Sequence, residues 1–454
     1  MLHVEVIATE ELGDRSYVAH DGNTAVVVDP QRDLDRVERL LADRGLTVGA
    51  VLETHVHNDY VTGGYELARR TGARYVLHQA DDLAFDRHGV TDGDELTVGG
   101  LTVRVLATPG HTDHHVSYVV SADGAAPAVF TGGSLLYGSV GRTDLVDTER
   151  TEELTRKQYR SARRLADELP DEAAVYPTHG FGSFCSSGDA AGGDDSTIGA
   201  ERERNDALTE DDEDTFVTRL VEGLTAYPTY YAHMAPLNRQ GPGAADLSPA
   251  EPVDPDELRK RVAAGEWVVD LRDRTAYATD HVAGTVGIEL SDQFATYVGW
   301  LLPWGEPLTL LGESAEQVAD AQRQLVRIGI DRPSGAAVGD PAELAGGDDL
   351  RRYERVEFAD LPAGLADGSA DGDVVLDVRR DDERAAGGIP GSAHVPIHSL
   401  LDRMDELPQK RLWVHCASGF RASIAASLLD RAGRDVVLID DEYDKAVKSG
   451  LATG

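Results

Sequence analysis

Residues 50–60 read AVLETHVHNDY, and this stretch decides the fold of the N-terminal part of the chain. The apolar run Ala50–Leu52 predicts a short buried β-strand. His55 and His57 follow it two positions apart, so both imidazoles can point to one side of a metal ion on the loop that leaves the strand. We therefore expect a metal site at the end of this strand.

Two more histidine loops follow apolar runs further along the chain. His111 lies in PGHT after VRVLAT, and His179 lies in PTHG after another short apolar run. Three such loops at strand ends are what a metal site on the edge of a sheet needs. We expect His55, His57 and His111 to form a three-nitrogen face. A further ligand can come from one of three residues, Asp59, His179 or Asp144.

Short β-like runs alternate with helical patterns over about residues 1–120, which predicts an α/β fold. The predicted strands and helices are Thr24–Val28, Ala50–Leu52 and Leu101–Leu106, and Leu34–Ala42 and Gly64–Arg70. The polar, acidic residues 186–214 predict a loop or a surface arm. A helix is predicted at Thr215–Leu224 and a linker at 241–255.

The C-terminal half contains an internal repeat. Asp270 in VVDLR and Asp377 in VLDVR are 107 residues apart, and so are Gly284 in HVAGT and Gly391 in GIPGS. An offset shared by two landmarks indicates two copies of one structural unit. Each copy runs strand, helix, glycine turn, strand, and a second strand that leads into a helix. The pattern predicts two parallel α/β domains of about 100 residues each.

The second copy carries a nucleophile motif. The apolar strand Leu412–His415 leads directly into Cys416, and a helical pattern follows at Ala422–Ala432. Backbone N–H groups and the helix N-terminus are expected to lower the pKa of this thiol and to stabilise a persulfide anion. We expect Arg421 to hold an anionic sulfur donor such as thiosulfate. The loop residues between them are Ala417, Ser418, Gly419 and Phe420.

The first copy has the scaffold of the repeat without this chemistry. Its strand Leu308–Leu311 leads into Gly312, which stands where Cys416 would be, and Gln317 stands where Arg421 would be. Without a thiol it cannot carry sulfur, so we expect a packing or dimer role.

Composition limits the partners. The formal net charge is −38, from 81 acidic and 43 basic residues, so nucleic acid and anionic membranes are poor partners. A small anionic substrate is not excluded. The sequence shows no apolar run of about 18 residues and no basic, signal-like N-terminus, so we expect a cytoplasmic protein without a membrane span. Two cysteines are too few for a disulfide framework.

Residues 1–240 resemble the metallo-β-lactamase superfamily, and within it the branch of persulfide dioxygenases and glyoxalase II. The motifs that carry this resemblance are HxHxD (55–59), PGHT (109–112), FTGGSLL (130–136), GRTD (141–144) and YPTHG (176–180). The VHCxxGxRA pattern around Cys416, with LDVR and GIPGSAHVPI upstream, resembles the rhodanese family. The resemblances imply an αββα sandwich over residues 1–240, an inactive rhodanese-like domain over 253–345 and an active rhodanese domain over 353–454.

Two positions depart from the first family's motifs. Tyr60 stands where HxHxDH has its last histidine, and Gly133 stands where a TGD segment has its aspartate. That aspartate bridges two metals in glyoxalase II and completes the two-His-one-carboxylate iron site of persulfide dioxygenases. The resemblance therefore implies one Fe(II) per chain, with zinc as the alternative. Loss of the carboxylate leaves weak or absent metal binding as a further alternative.

Two other features are read through the resemblance. Residues 441–444, DEYD, stand where rhodanese-like proteins usually have a Gly-Gly pair, and we expect them to alter the surface without touching the Cys416 loop. Cys185 follows His179 by six positions, and fused persulfide dioxygenase–sulfurtransferases look similar here, with a cysteine shortly after the last motif histidine. It is either a surface-facing thiol that relays sulfane sulfur near the metal or a half-buried filler.

The resulting function hypothesis is an enzyme that oxidises small thiol persulfides with O2 to sulfite and transfers sulfane sulfur through Cys416. Its expected partners are a small thiol persulfide, sulfite or thiosulfate, and other copies of the chain in a dimer or tetramer. One alternative is a metal-dependent hydroxyacylglutathione-type thioester hydrolase fused to a sulfurtransferase. Another is a metal-poor carrier or sensor of sulfane sulfur.

Overall fold

The computed structural model of the chain describes residues 1–188, 193, 195–346, 350–362, 364–365 and 372–453. The chain forms two compact units. One comprises Met1–Asp246 with Leu325–Gly329, and the other comprises Leu247–Gln324 with Ile330–Gly454. Within the described ranges, no helix is both long and apolar enough to cross a membrane.

Two β-sheets form the centre of the first unit. One has the order β1-β2-β3-β4-β5-β6 and the other β11-β10-β9-β8-β7, where β1–β11 are His3–Thr9, Asp14–His20, Thr24–Val28, Thr47–Leu52, Arg74–His78, His88–Val90, Glu95–Val98, Leu101–Ala107, Val116–Ser121, Ala128–Gly132 and Ala174–Pro177. In the first sheet the pairs from β3 to β6 are parallel, whereas β1, β2 and β3 are antiparallel.

Helices cover the outer faces of both sheets. The helices α1–α7 are Asp35–Arg44, Gly64–Thr71, Thr151–Glu168, Ile198–Arg204, Asp206–Thr209, Glu213–Glu222 and Tyr231–Gln240, with a 3₁₀ turn at Thr148–Arg150. The inward faces of the two sheets share one buried core, in which Val28 and Leu52 pack with Val105 and Phe130. Helix α3 packs on one outer face and α1 and α2 on the other. The predicted αββα sandwich is confirmed.

The second unit contains two parallel sheets, one for each copy of the repeat. Their orders are β14-β12-β15-β16 and β18-β22-β21-β19-β20, and β13 pairs with β17. The strands β12–β22 are Trp267–Asp270, His281–Val282, Val286–Gly287, Leu308–Gly312, Gly335–Val338, Leu350–Arg351, Glu354–Val356, Asp373–Asp377, Ala393–His394, Arg411–His415 and Val436–Ile439.

The helices of the second unit separate these strands. The helices α8–α16 are Pro255–Ala263, Arg274–Thr279, Phe294–Leu301, Ala315–Arg327, Pro341–Ala345, Asp381–Ala386, Leu400–Arg403, Phe420–Arg431 and Tyr443–Ser449, with 3₁₀ turns at Phe358–Asp360, Ile397–Ser399 and Met404–Glu406.

The repeat is visible in matching side-chain pairs. Arg272 Nε lies 3.1 Å from Asp270 Oδ1, and Arg379 Nε lies 3.0 Å from Asp377 Oδ1. In both copies the arginine backbone N–H also donates to that aspartate at 3.0 Å. The same self-contained turn therefore ends the first strand of each copy.

Residues 186–214 were predicted as a loop or a surface arm, and this is wrong for the later part of the segment. Helices α4 and α5 occupy Ile198–Thr209, and α6 begins at Glu213. The local cause is capping, because the side chains of Thr197 and Asn205 accept hydrogen bonds from the first turns of α4 and α5. Buried Ile198 and Ala207 then anchor these helices against the core. Residues 189–192 and 194 lie outside the described residues.

Candidate functional site

The histidine-bearing loops meet at one edge of the first unit. The loops that carry them follow β4, β8 and β11, and the side chains brought together are His55, His57, Asp59, His111 and His179. Each of the five is at most 1% exposed. The structure thus gathers in one buried cluster the residues predicted as metal ligands, apart from Asp144.

One set of three imidazoles is oriented by neighbouring groups. Thr54 Oγ1 donates to Asp29 at 2.8 Å, so it accepts from His55 Nδ1 at 2.9 Å. His55 Nε2 then faces His179 Nε2, which lies 3.4 Å away at hydrogen-bond distance. His111 Nδ1 donates to the carbonyl of Arg142 at 2.7 Å. One nitrogen each of His55, His111 and His179 lies within 4.8 Å of the others. His179, in place of the expected His57, completes this set of three imidazoles.

His57 is held by contacts to its Nε2 atom, on the opposite side of the ring from Nδ1. Its Nε2 lies 3.1 Å from Glu53 Oε2, 3.3 Å from Asp29 Oδ1 and 3.0 Å from the Tyr60 hydroxyl. Burial lowers the pKa of His57, but Asp29 and Glu53 outweigh burial and raise it to about 9. A metal at Nδ1 would displace a proton from this ring. His57 also forms a second set with Asp59 and His179, whose ligand atoms lie within 4.8 Å of one another.

His179 is held by two carboxylates. Its Nδ1 lies 2.9 Å from Asp14 Oδ1 and 3.1 Å from Asp59 Oδ2. Burial lowers the pKa of His179, but Asp59 and Asp14 raise it well above its ordinary value. Carboxylates beside a histidine fix its ring orientation and strengthen it as a metal ligand.

The two departures from the family motifs have a geometric reason. A Cβ on Gly133 would lie 2.6 Å from Cγ and 2.9 Å from Nε2 of His111, so the imidazole takes the space of a side chain at 133. The Tyr60 hydroxyl donates to the carbonyl of Asp29 at 3.2 Å. Tyr60 therefore supports His57 from behind, and neither position offers a ligand.

Sequence reasoning missed the buried residues that support the site. Asp29 binds Thr54, Thr178 and His57, and it adopts a left-handed backbone with φ of 48°. Its signal in the sequence is an acidic residue directly after the strand TAVVV. His115 accepts from the N–H of Gly133 at 3.0 Å and stacks on His55 with ring centroids 4.9 Å apart. Glu53 carries the same signal after Ala50–Leu52, whereas Asp14 has no comparable local signal.

Two residues near the cluster differ from expectation. Asp144 pairs with Arg142 at 2.7 and 2.8 Å and belongs to neither ligand set. Cys185 is fully buried, so the expectation of a surface-facing thiol is wrong. Burial raises the pKa of Cys185 well above its usual range, and the nearby Asp59 adds to this. The thiol therefore stays protonated at neutral pH.

The Cys416 loop has the predicted strand–loop–helix form. Cys416 follows β21 and is 1% exposed, and the backbone N–H of Gly419 donates to its Sγ at 3.2 Å. Gly419 precedes α15 with φ of 90°, a conformation that suits glycine. Ser418 is exposed, and the ring of Phe420 lies 5.4 Å from that of Tyr297.

Two expectations about this loop need correction. Arg421 was predicted to hold an anionic donor, but both of its terminal nitrogens bind Glu383, at 2.5 and 2.7 Å. The DEYD segment was predicted not to touch the loop, but the N–H of Tyr443 donates to the carbonyl of Ala417 at 2.8 Å. Both contacts join segments that are distant in sequence.

The corresponding loop of the first copy is closed by an amide. Gln317 Oε1 accepts from the N–H of Glu313 at 2.8 Å, and its Nε2 donates to the carbonyl of Leu271 at 3.1 Å. A Cβ on Gly312 would lie 3.0 Å from Gln317 Oε1, which is a tight contact. The space of a nucleophile is thus taken by Gln317.

Two protein-family models match the chain. The family model of the metallo-beta-lactamase superfamily matches residues 13–217, and that of the rhodanese-like domain matches residues 360–448. Hydroxyacylglutathione hydrolase of Prochlorococcus marinus (strain MIT 9211) is 33% identical over 35% of this chain and 61% of its own length. The chain thus spans less than two thirds of that relative.

Two further proteins are similar to the chain. Persulfide dioxygenase ETHE1, mitochondrial, of Homo sapiens is 30% identical over 44% of this chain and 70% of its own length. The crystal structure of a metallo-beta-lactamase from Staphylococcus aureus subsp. aureus COL is 27% identical with a TM-score of 0.67, covering 75% of this chain and 99% of that one. The chain therefore belongs to the metallo-beta-lactamase superfamily and carries a rhodanese-like domain towards its C-terminal end.

Proposed function

We propose that this chain is an enzyme of sulfur metabolism that oxidises a small thiol persulfide and passes sulfane sulfur through Cys416. The observation that carries the proposal is the presence of two sites in one chain. One is a buried cluster of imidazoles that can hold a metal ion, and the other is a thiol at the start of a helix. The similarity to a persulfide dioxygenase supports the same reaction class.

The imidazole cluster fits a metal ion. His57 Nδ1 and His111 Nε2 are buried and have no hydrogen-bond partner among the residues the structure describes. A buried polar atom without a partner costs about 1–3 kcal/mol, and a cation held by His55, His111 and His179 would remove this cost at His111 Nε2. We propose one Fe(II) per chain, with zinc as the competing metal because it binds nitrogen sites more tightly. When bound, iron would supply redox chemistry with O2.

The proposed oxidation balances with water as the only further reactant: RSSH + O2 + H2O → RSH + SO₃²⁻ + 2 H⁺. The chain's own residues orient the site for it. Glu53 and Asp29 hold His57 by Nε2, and the carbonyl of Arg142 holds His111 by Nδ1. His179 can hold a proton at Nδ1 between Asp14 and Asp59.

The proposed transfer runs through two steps at Cys416. The thiolate attacks the outer sulfur of thiosulfate, the S–S bond of thiosulfate breaks, and sulfite leaves with its electron pair. An acceptor thiolate then takes the sulfane sulfur and Cys416 leaves as a thiolate. The N–H of Gly419, which already donates to Sγ, stabilises the anionic sulfur in both states. The partners in this proposal are small sulfur anions, and the net charge of −38 argues against nucleic acid.

A second candidate is a thioester hydrolase with two metals. It is favoured by the similarity to hydroxyacylglutathione hydrolase and by the second ligand set of His57, Asp59 and His179. Against it, Tyr60 turns to Asp29 and Gly133 has no side chain, so two ligand positions of a dinuclear site carry none. His179 is also shared between the two sets. These contacts support one metal per chain.

The test is metal content together with O2 uptake. Full-length protein is reconstituted anaerobically with Fe(II) and given glutathione persulfide as the probe. We expect about one iron per chain and O2 uptake with sulfite formation. Two metals with thioester hydrolysis would support the hydrolase, and absence of both metal and O2 uptake would leave the sulfane-sulfur carrier.

A matched pair of variants separates the two sites. His55→Ala should remove O2 uptake and leave thiosulfate transfer, because it alters only the imidazole cluster. Cys416→Ser should do the reverse. Loss of both activities in either variant would contradict the assignment of two separate sites.

A further inference from the structure

A second histidine cluster lies outside the candidate metal centre. It consists of His78 at the end of β5, Asp81 in the turn that follows, and His114 on the loop between β8 and β9. One nitrogen of each imidazole and one oxygen of Asp81 all lie within 4.8 Å of one another. The rings of His78 and His114 stack with centroids 5.2 Å apart. Residues from two separate loops thus present two nitrogens and a carboxylate to a common point.

Asp81 is incompletely satisfied in this cluster. Its side chain is 9% exposed, and Oδ1 lies 3.2 Å from His114 Nδ1. Oδ2 is buried without a hydrogen-bond partner in the described part of the chain. A cation bound between Asp81 and the imidazoles would supply the missing partner.

The distances suit a tetrahedral metal ion. Ligands about 2.0–2.2 Å from zinc in a tetrahedral site lie about 3.3 Å from each other. The separation between Asp81 Oδ1 and His114 Nδ1, 3.2 Å, already matches this value. The ligand atoms of His78, Asp81 and His114 all lie within 4.8 Å of one another.

The surroundings allow a metal to reach the cluster. Asp81 and His114 line a cavity of about 540 Å3, to which Asp82 adds negative charge and Arg239 adds positive charge. Arg87 binds the backbone carbonyl of Asp81. The side chain of His114 is 39% exposed. Three protein ligands leave the fourth position of the metal to water from this cavity.

We propose that His78, Asp81 and His114 form a second divalent-metal site that takes zinc, separate from the cluster around His55. Bound zinc joins the turn after β5 to the loop that also carries His111. Two imidazoles and one carboxylate are a ligand set that zinc favours. The inference does not depend on the proposed persulfide reaction.

The experiment counts zinc in the full-length chain. Protein stripped by a chelator is dialysed against buffered zinc, and bound metal is measured by elemental analysis. The parent variant carries His55→Ala and His179→Ala, which remove ligands from both sets of the first centre. Three variants are made from this parent, each with one added substitution. Two carry His114→Ala or Asp81→Asn, and the control carries His88→Ala at an exposed histidine of β6. Circular dichroism checks that each variant is folded.

We expect the parent to keep about one zinc per chain, and His114→Ala or Asp81→Asn to remove it while His88→Ala does not. His114→Ala is also compared with the native chain, and it should bind about one zinc fewer. This second comparison does not depend on whether the parent variant folds. Equal zinc content with and without His114→Ala would overturn the proposal. Since O2 uptake is not measured, failure of the persulfide reaction would leave this outcome unchanged.

Discussion

Gly133 offers the most direct test of how the candidate metal centre is built. A Cβ at this position would lie 2.6 Å from Cγ of His111. Carbon atoms pack best at about 3.5–4.0 Å, so the ring must retreat by about 1 Å. Overpacking of this kind costs about 1–3 kcal/mol of folding free energy. A displacement of about 1 Å in a site can also cost about 100-fold in function.

We therefore expect Gly133→Ala and Gly133→Asp to destabilise the first unit and to weaken metal binding, although Asp adds a carboxylate. All four tryptophans lie in the second unit, and eleven of the fifteen tyrosines lie in the first, so the tyrosine signal in near-ultraviolet circular dichroism reports mainly on the first unit. Competition with a chelator measures metal affinity. Gly243→Ala is the matched control, because a Cβ there meets no described atom within 4 Å. Tighter iron binding by Gly133→Asp with unchanged stability would refute the placement of His111.

Three further predictions concern the second unit. Cys416→Ser should abolish thiosulfate-to-thiol transfer in the full chain, since Gln317 closes the other loop; any residual Cys416-independent transfer would contradict this. Glu383→Gln should release Arg421 and lower the KM for thiosulfate about fivefold, which corresponds to about 1 kcal/mol. An unchanged KM would show that Arg421 does not bind the sulfur donor. Burial lowers the pKa of His415 to about 4, against about 6.5 in the unfolded chain. The unfolded state therefore binds more protons than the folded state between these two pH values. Acidification through this range should lower the free energy of unfolding by about 3 kcal/mol more in the native chain than in His415→Asn. Unfolding is measured by tryptophan fluorescence.

The contacts of the site depend on residues that are far apart in sequence. His179 and Asp14 are 165 positions apart, and Arg421 and Glu383 are 38 apart, yet each pair is in direct contact. No local pattern reports such pairs, because they form only when sheets and loops are assembled. For the same reason the sequence could not show that Cys185 is buried.

The sequence by itself determined several of the strands and helices and the positions of the reactive loops. Strands such as Thr24–Val28 and the helix after Cys416 follow from local periodicity, and the offset of 107 residues exposed the repeat. These signals are local because the periodicity of apolar residues and the effect of turn-forming residues extend over only a few positions. Only the tertiary structure showed which nitrogens of His57 and His111 have no hydrogen-bond partner among the described residues, and that the His111 ring fills the space beside Gly133. Those outcomes depend on packing distances between loops, and they are set when the two sheets close on one another.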